Sequence, residues 1–484
     1  MNSLPAMGRD SGGYIPALGS QDGDAINLGR FYDFEGGGIG PKLMYGGDRN
    51  IVLFGPNGSG KSLRIAAPNL LQCTDRSIFV IDPKGELAAI TAPFRRTVSD
   101  VVILNPFDMF LDVPGYEDLR SHGFNPLADL DPDSDMFNSE VELRADALIQ
   151  IRSHDPHWDE SARNLVAALI MYEVIEARKR GRIPTLGKVR DFLAMPVIQK
   201  RDGPLEGFLR IVREMSLSDY TPLSNKAAQF GKWSDEIDSI MSAARRQTTP
   251  FDDPPMVRDL AKDGVRFSDM KTRPMTVYCV IPTKMVTRHA TWLRLVLTAA
   301  LQGVLRERRP GEPKTLFMMD EFAALGHLEI IETVWAVVRG YGVQLMPMFQ
   351  DLNQLKGLYK ERWETFIGNA GAVLSFAAND MTTAEWLSRR AGDTTRVVES
   401  YHEGTNTTPF TGTKSPGGTS SNSSHNYTQT KVPLIDPHKF FGLRDGAMIA
   451  MLAGVADVVP AYAPGYWQID QCAMRARANP YRFG

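Results

Sequence analysis

Eight consecutive residues near the start of the chain have the types and spacing of a loop that binds phosphate groups. They are Gly55, Pro56, Asn57, Gly58, Ser59, Gly60, Lys61 and Ser62. The stretch fits the pattern G-x-x-x-x-G-K-[ST], in which glycines let successive backbone N–H groups point at phosphate oxygens. The lysine then reaches the outer phosphates, and the serine hydroxyl ligates Mg²⁺. This P-loop therefore predicts a site for ATP and Mg²⁺.

Two neighbouring acids follow an apolar run much later in the chain. Asp320 and Glu321 come directly after residues 315–319. In P-loop enzymes, one acid at a strand end holds the Mg²⁺ shell and a second polarises the attacking water. An ordinary strand followed by an acidic helix cap gives the same residues. Because the P-loop occurs in the same chain, we predict that Asp320 and Ser62 hold the metal and that Glu321 is catalytic.

Three further polar features lie beside predicted strands. Gln350 closes the apolar run 344–349, where an amide suits a sensor of the γ-phosphate, although a loop amide fits the spacing equally well. Arg339 precedes a glycine turn, and its guanidinium either lies at the surface or reaches the phosphate of a neighbouring subunit. The sequence Asp-Pro-Lys-Gly-Glu at 82–86 faces the nucleotide, a neighbouring subunit or solvent.

The elements that must position these residues are indicated by hydrophobic patterns. Short apolar runs, separated by segments with helical spacing, predict βαβ units and hence a parallel sheet. The predicted strands are 50–54, 77–81, 101–104, 275–281, 315–319, 344–349 and 372–376. Residues 128–262 have helical patterns with few β-branched runs, which indicates an inserted all-α domain. We therefore predict an α/β fold with a P-loop nucleotide-binding domain and a parallel-rich sheet.

The same patterns divide the chain into segments. We predict an extended lead-in with short strands at 1–48, the nucleotide-binding domain at 49–127 and 263–470, and a tail at 471–484. Within that domain, residues 398–431 are dominated by Ser, Thr, Gly and Asn. Such a segment buries too little apolar surface to fold alone, so a flexible loop is expected. A final edge strand is expected within 446–458.

The composition is that of an ordinary globular protein, with 484 residues, 43% hydrophobic residues and a net charge of −3. This charge gives no overall attraction to nucleic acid, so DNA contacts must come from local patches or a pore lining. The basic clusters near 178–182, 245–246 and 306–309 favour solvated helix ends over DNA contacts. Three distant cysteines, without any C-x-x-C pair, predict buried thiols rather than a zinc or redox site. No signal peptide or membrane span is predicted.

Taken in order, the motifs resemble the TraG/TraD-type coupling ATPases of type IV secretion and conjugation. The resemblance covers about residues 48–460. It rests on the P-loop and on these later motifs: Pro68-Asn69-Leu70-Leu71, residues 80–87, Leu104-Asn105-Pro106, Phe124-Asn125-Pro126-Leu127, residues 162–165, residues 320–326, Arg339-Gly340-Tyr341-Gly342, Gln350, Asn379-Asp380 and the Ser/Thr-rich segment.

The resemblance implies a RecA-like domain, an all-α domain and a homo-hexameric ring. The ring moves single-stranded DNA with an attached relaxase or substrate protein toward type IV secretion channel subunits, and an arginine matching Arg339 acts in trans. Most members begin with two membrane-spanning helices, which this sequence does not show. Only indirect membrane contact is therefore expected, in the bacterial cytoplasm at the face of the inner membrane. A pump for protein effectors and a docking platform without productive hydrolysis remain alternatives.

Overall fold

The computed structural model of the protein describes residues 14–17, 24–34, 36–151, 156–198, 206–231, 234–407 and 419–481. Within them, the strands are β1 (Tyr14–Ala17), β2 (Ile26–Tyr32), β3 (Ile39–Tyr45), β4 (Ile51–Phe54), β5 (Arg76–Asp82), β6 (Asp100–Leu104), β7 (Val197–Ile198), β8 (Glu206–Gly207), β9 (Met275–Val280), β10 (Lys314–Met319), β11 (Val343–Phe349), β12 (Ala372–Ser375), β13 (Asp393–Thr407), β14 (Thr419–Pro433), β15 (Ala447–Leu452) and β16 (Val459–Tyr462). The α-helices are α1 (Ala67–Gln72), α2 (Glu86–Val98), α3 (Phe137–Leu148), α4 (His157–Lys179), α5 (Leu186–Ala194), α6 (Phe208–Ser216), α7 (Thr221–Ala228), α8 (Asp235–Thr248), α9 (Pro254–Leu260), α10 (Ala290–Val304), α11 (Glu329–Val334), α12 (Leu352–Tyr359), α13 (Trp363–Gly368), α14 (Met381–Ala391) and α15 (Asp470–Arg475).

Twelve of the described strands form one sheet. Their order is β1-β3-β2-β16-β15-β12-β4-β11-β10-β5-β9-β6. The seven strands from β12 to β6 in this order pair in parallel. The remaining strands, from β15 to β1, pair antiparallel. The prediction of an α/β fold with a parallel-rich sheet is therefore confirmed.

The central strands are continuous apolar runs because helices cover both faces of the sheet. Successive side chains of a strand point to opposite faces. Ile51 and Leu53 of β4 therefore belong to a buried cluster with α1 and α2, whereas Val52 and Phe54 belong to a second cluster with α4 and α10. Burial on both sides fixes the strand register, and the register in turn fixes where the strand ends lie.

The segment between β6 and β9 is mostly helical, and it packs directly on one face of the sheet. Side chains of α3 and α4 share a single buried cluster with α10 and with the sheet. Within this segment, α7 and α8 are two separate helices. The break lies before Ser234, whose hydroxyl accepts a hydrogen bond from the Ile237 N–H and caps α8. The domain boundaries at 128 and 262 stay predictions.

The lead-in at 1–48, where short strands are expected, contains β1, β2 and β3, and these strands belong to the main sheet. Two other expectations at the chain's periphery need correction. The strand expected at the sheet edge within 446–458 is β15, which is interior, between β12 and β16. The loop expected at 398–431 is largely an antiparallel hairpin, in which β13 pairs with β14 along their whole length; residues 408–418 lie outside the described residues.

The predicted tail at 471–484 begins inside α15 and continues along α2. Cys472 is buried. The Arg477 N–H donates a hydrogen bond of 2.9 Å to the Ile90 carbonyl, and its guanidinium lies 4.2 Å from the centroid of the Tyr116 ring. This segment therefore packs against the rest of the fold as far as residue 481; residues 482–484 lie outside the described residues.

Candidate nucleotide site

Four neighbouring parallel strands bring most of the predicted site residues to one edge of the sheet. β4, β11, β10 and β5 lie side by side. Phe54 pairs with Phe349, and Met319 pairs with Ile81, so the carboxyl ends of these strands are aligned. The groups at the four strand ends are the P-loop, Gln350, Asp320 and Asp82. Ligands of open α/β sheets bind at this edge.

The P-loop is held open by glycines and tied to the sheet. Gly58 and Gly60 have φ of 82° and 85°, a region that favours glycine. The Gly55 N–H donates to the Phe349 carbonyl at 3.0 Å, which fixes the loop to β11. Among the described residues, the buried Ser59 hydroxyl has no hydrogen-bond partner. A curled loop of N–H groups with an unsatisfied hydroxyl fits the phosphates of a nucleotide.

Lys61 is folded back onto the loop. Only 7% of the residue is exposed, and its ammonium donates to the carbonyls of Gly55 and Pro56. Burial lowers the pKa of Lys61, the charges of Asp320 and Glu321 oppose this shift, and the charge of Lys84 adds to it. An ammonium held by carbonyl oxygens at the centre of the loop is positioned to bind phosphate oxygens instead.

Ser62 and Asp320 meet although they are far apart in the sequence. The Ser62 hydroxyl donates a hydrogen bond of 2.5 Å to Asp320 Oδ2 across 258 positions of the chain. The other carboxylate oxygen of Asp320 accepts the Glu321 N–H at 3.1 Å. A hydroxyl and a carboxylate are oxygen donors of the kind that Mg²⁺ prefers. This pair of donors therefore fits the metal that the P-loop requires.

Glu321 and Gln350 form a second contact at the same edge. Gln350 Nε2 donates to Glu321 Oε2 at 3.0 Å. Glu321 has a φ of 52°, which is strained for a residue with a side chain and occurs most often at functional sites. The Gln350 N–H donates to the side chain of Gln354 at 2.8 Å, which fixes the start of α12. A carboxylate oriented by an amide is suited to polarise a water molecule.

Asp82 is buried beside the acids of the site, so the solvent-facing alternative for this carboxylate was wrong. It is 2% exposed, and it accepts the Ala88 N–H at 2.8 Å. The pKa of Asp82 is raised to about 7, chiefly by burial; the hydrogen bond from the Ala88 N–H opposes this rise, and the charges of Asp320 and Glu86 contribute to it.

The C-terminal segment covers this acidic motif, which sequence reasoning missed. Asn479 Nδ2 donates to Glu86 Oε1. The Tyr481 hydroxyl donates to the Lys84 carbonyl at 2.8 Å. These contacts join residues almost 400 positions apart, and no motif in the sequence marks them. The motif at 82–86 is therefore held from both sides, by its own helix α2 and by the end of the described chain.

Arg339 lies at the opposite edge of the sheet from the P-loop of the same chain. It belongs to a short 3-10 turn that ends just before β11 begins. Its exposed side chain lines a cavity of about 560 Å³ together with Arg308, Arg309 and Lys314. A smaller cleft joins Arg339 to Arg49, a neighbour that sequence reasoning missed. No carboxylate of the described residues pairs with Arg339.

Comparison with known protein families finds a match that includes all of the site residues predicted from the sequence. The sequence model described as "Type IV secretory system Conjugative DNA transfer" matches residues 15–467. The chain belongs to this family. A relative called Conjugal transfer protein TraG, from Rhizobium radiobacter, is 25% identical over 424 residues, which are 86% of this chain and 62% of the relative. Protein VirD4 from Agrobacterium fabrum is 26% identical over 366 residues, which are 74% of this chain and 51% of that protein.

The chain thus spans between about half and about three fifths of the length of these relatives. Solved structures of the coupling protein TrwB share the fold. The unbound form of TrwBdeltaN70 has a TM-score of 0.60 at 14% identity and covers 93% of this chain and 96% of that one. TrwB in complex with ADP and Mg²⁺ has a TM-score of 0.59 at 14% identity and covers 88% and 87%. Among the residues that the structure describes, none of the helices combines the length and apolarity that crossing a bilayer requires.

Proposed function

We propose that this member of the conjugative DNA transfer family binds ATP with Mg²⁺ at residues 55–62 and hydrolyses it. The released energy moves single-stranded DNA with attached relaxase or substrate protein to a type IV secretion channel. The proposal depends on one observation above all, the hydrogen bond between Ser62 and Asp320. It brings the phosphate-binding loop and the paired acids together, as is required if both are to bind one metal and one triphosphate.

Each side chain then has a separate task. The loop N–H groups and Lys61 bind and orient the phosphates, while Ser62 and Asp320 hold the metal. A Mg²⁺ ion held by Ser62 and Asp320 would neutralise charge on the phosphate oxygens. Glu321 accepts a proton from the attacking water, and Gln350 keeps the Glu321 carboxylate oriented through its amide. Most of the barrier is lowered by positioning and charge, as in other phosphoryl transfers.

Arg339 completes the site of a second subunit in this proposal. Its guanidinium is exposed, has no carboxylate partner among the described residues and lies at the edge away from its own P-loop. An arginine supplied in trans stabilises the charge of the transferring phosphoryl group. Hydrolysis then requires a ring, for which we propose a homo-hexamer. The net charge of −3 means that DNA is held by local groups of such a ring rather than by overall attraction.

The test is steady-state ATP turnover measured with and without single-stranded DNA over a range of protein concentrations. Turnover per chain is expected to rise with both. Glu321→Gln is expected to bind ATP but not turn it over. The matched control is Glu329→Gln, an exposed glutamate on the nearby helix α11, which should behave as wild type.

Three results would contradict the motor. An ATP turnover rate that does not change with DNA or with protein concentration would exclude both coupling of hydrolysis to DNA and a requirement for assembly. A rate that responds to a substrate protein and not to DNA indicates an effector pump. DNA transfer that survives Glu321→Gln indicates a docking platform that needs bound nucleotide but not its hydrolysis.

A further inference from the structure

The proposed phosphate site fixes the direction in which a bound nucleotide runs. Glu321 and Gln350 follow β10 and β11, which both lie on one side of β4. The terminal phosphate must point toward these residues, because the attacking water is activated there. The ribose and base therefore leave the P-loop on the other side of β4, where β12, β15 and β16 lie.

An exposed tryptophan lies at the carboxyl edge on that side of β4. Ser375 at the end of β12 pairs with Ile449, and Ala447 at the start of β15 pairs with Tyr462 at the end of β16. The chain leaving β16 is thus at the same edge as the P-loop. It turns through Gly465 and presents Trp467, which is 39% exposed. A large aromatic side chain that is partly exposed at a ligand-binding edge can contact a ligand.

Arg64 connects this tryptophan to the P-loop. The backbone N–H of Arg64 donates a hydrogen bond of 2.7 Å to the Gly60 carbonyl. The side chain is folded back over Gly60, where a Cβ atom would lie 2.8 Å from Arg64 Cδ. The buried guanidinium pairs with Asp445 at 2.5 Å and lies 5.6 Å from the centroid of the Trp467 ring. Hence the loop that binds phosphates and the exposed indole are joined by one fixed side chain.

We infer that Trp467 is a stacking platform for the purine base of the nucleotide, with Arg64 as its positioning residue. This inference rests on the proposed nucleotide site. Stacking on an indole is favourable for any flat base, and a guanidinium over an aromatic ring holds that ring in place through a cation–π contact. Two glycines let these side chains pack closely. A Cβ on Gly465 would lie 2.5 Å from the Trp467 ring, so the backbone there packs against the indole, and a Cβ on Gly446 would lie 2.8 Å from Arg64 Nη1.

The test compares binding of ATP with binding of tripolyphosphate, which has the phosphates but no base. Trp467→Ala should weaken ATP binding about tenfold, or about 1.4 kcal/mol, and leave tripolyphosphate binding unchanged. Trp467→Phe should restore ATP binding because it keeps an aromatic face. The control is Trp363→Ala, because Trp363 also packs against a cation, with Lys356 Nζ 4.7 Å from its ring centroid; this variant should bind both probes as wild type.

Failure of this inference is distinguishable from failure of the proposed site. Lys61→Ala should lose both probes; if it binds both normally, the proposed phosphate site is wrong. If Lys61→Ala loses both while Trp467→Ala binds ATP as wild type, only the platform is overturned. Tryptophan fluorescence gives a second readout in folded protein. ATP but not tripolyphosphate should quench it, and a quench that persists in Trp467→Phe overturns the platform.

Discussion

Ser62 and Asp320 form a hydrogen bond through the same oxygen atoms that would bind a metal ion. Their hydrogen bond of 2.5 Å occupies the two oxygens that the proposed Mg²⁺ needs. Each oxygen is held by its own element, Ser62 by the turn that opens the helix after the P-loop and Asp320 by the end of β10. Because both are fixed in advance, binding of the metal requires little rearrangement.

Replacement of Ser62 by Ala should therefore separate metal use from nucleotide binding. We expect Ser62→Ala to reduce ATP turnover at least about 100-fold, since one metal ligand and the orientation of Asp320 are both lost. Nucleotide affinity without Mg²⁺ should be unchanged, and the gain in affinity on adding Mg²⁺ should disappear. Titration of a fluorescent ATP analogue with and without Mg²⁺ measures this. Ser62→Thr keeps the hydroxyl and is the control; equal loss in both variants would contradict the metal role.

Asp82 makes stability depend on pH in a defined direction. Burial raises its pKa in the folded protein to about 7, compared with 3.8 for an ordinary aspartate. The folded state thus holds this proton more tightly than the unfolded state. The resulting stabilisation is complete below about pH 4 and is lost as pH rises through 7. Well above pH 7 the loss is complete, and the stability contribution of Asp82 no longer changes.

Asp82→Asn should remove this dependence, because asparagine does not ionise and keeps an oxygen to accept the Ala88 N–H. In nucleotide-free protein, the Tm of the variant relative to wild type should increase between pH 4 and 7 and level off above that. The corresponding change in the free energy of unfolding is at most about 1.4 kcal/mol for each pH unit. Thermal melts between pH 5 and 8 measure it. A Tm difference that is constant over this range would show that Asp82 is ionised throughout.

At the level of elements, the β13–β14 hairpin shows where composition alone was misleading. Its Ser, Thr and Asn residues predicted a flexible loop because they bury little apolar surface. Backbone hydrogen bonds between two strands need no core, however, and Thr, Val and Tyr favour extended backbone. Within the described residues, β13 and β14 pair with each other and not with the main sheet. Two-stranded hairpins without a third strand are marginally stable in water.

Shortening this hairpin should therefore leave the rest of the fold intact. Replacing residues 395–431 with Asn-Gly joins the cross-strand pair Thr394 and Val432 through a two-residue turn of the kind that hairpins favour. We expect the Tm to change by less than about 2 °C and basal ATP turnover to be unaffected. Calorimetry and a turnover assay without DNA check this. A fall in Tm of more than about 5 °C would show that the hairpin stabilises the core.

At the scale of the whole molecule, the sheet separates two halves of the proposed catalytic site. The P-loop and its acids lie at the carboxyl edge, whereas Arg339 lies with Arg308 and Arg309 at the amino edge. One chain cannot bring these groups together without breaking the sheet. Two chains can, if the amino edge of one faces the carboxyl edge of the next in a closed ring.

Mixing two inactive variants should test this arrangement. Lys61→Ala chains lack a working P-loop but supply Arg339, and Arg339→Ala chains supply the P-loop. Each alone should turn over little ATP. In an equal mixture about one quarter of the sites combine both intact groups, so about a quarter of wild-type turnover is expected. Turnover that stays at the level of the separate variants would show that Arg339 does not act in trans.

Local spacing in the sequence determined the groups that meet at the carboxyl edge. The P-loop is one continuous segment, and Asp320, Glu321 and Gln350 each end a strand of recognisable pattern. Parallel strands put such ends at one edge, so their meeting follows from pattern and topology rules alone. The existence of the parallel sheet and of a helical segment between its strands followed in the same way.

Only the tertiary structure decided the burial of Asp82, the edge at which Arg339 lies, the entry of β1, β2 and β3 into the main sheet and the place of Trp467 beside Arg64. Each of these depends on which distant segments become neighbours. Strand order and the packing of chain ends are set by long-range burial of apolar surface, which is summed over the whole molecule. A short motif does not contain this long-range information. The sequence therefore identifies the residues of a motif, but only the fold determines where they lie.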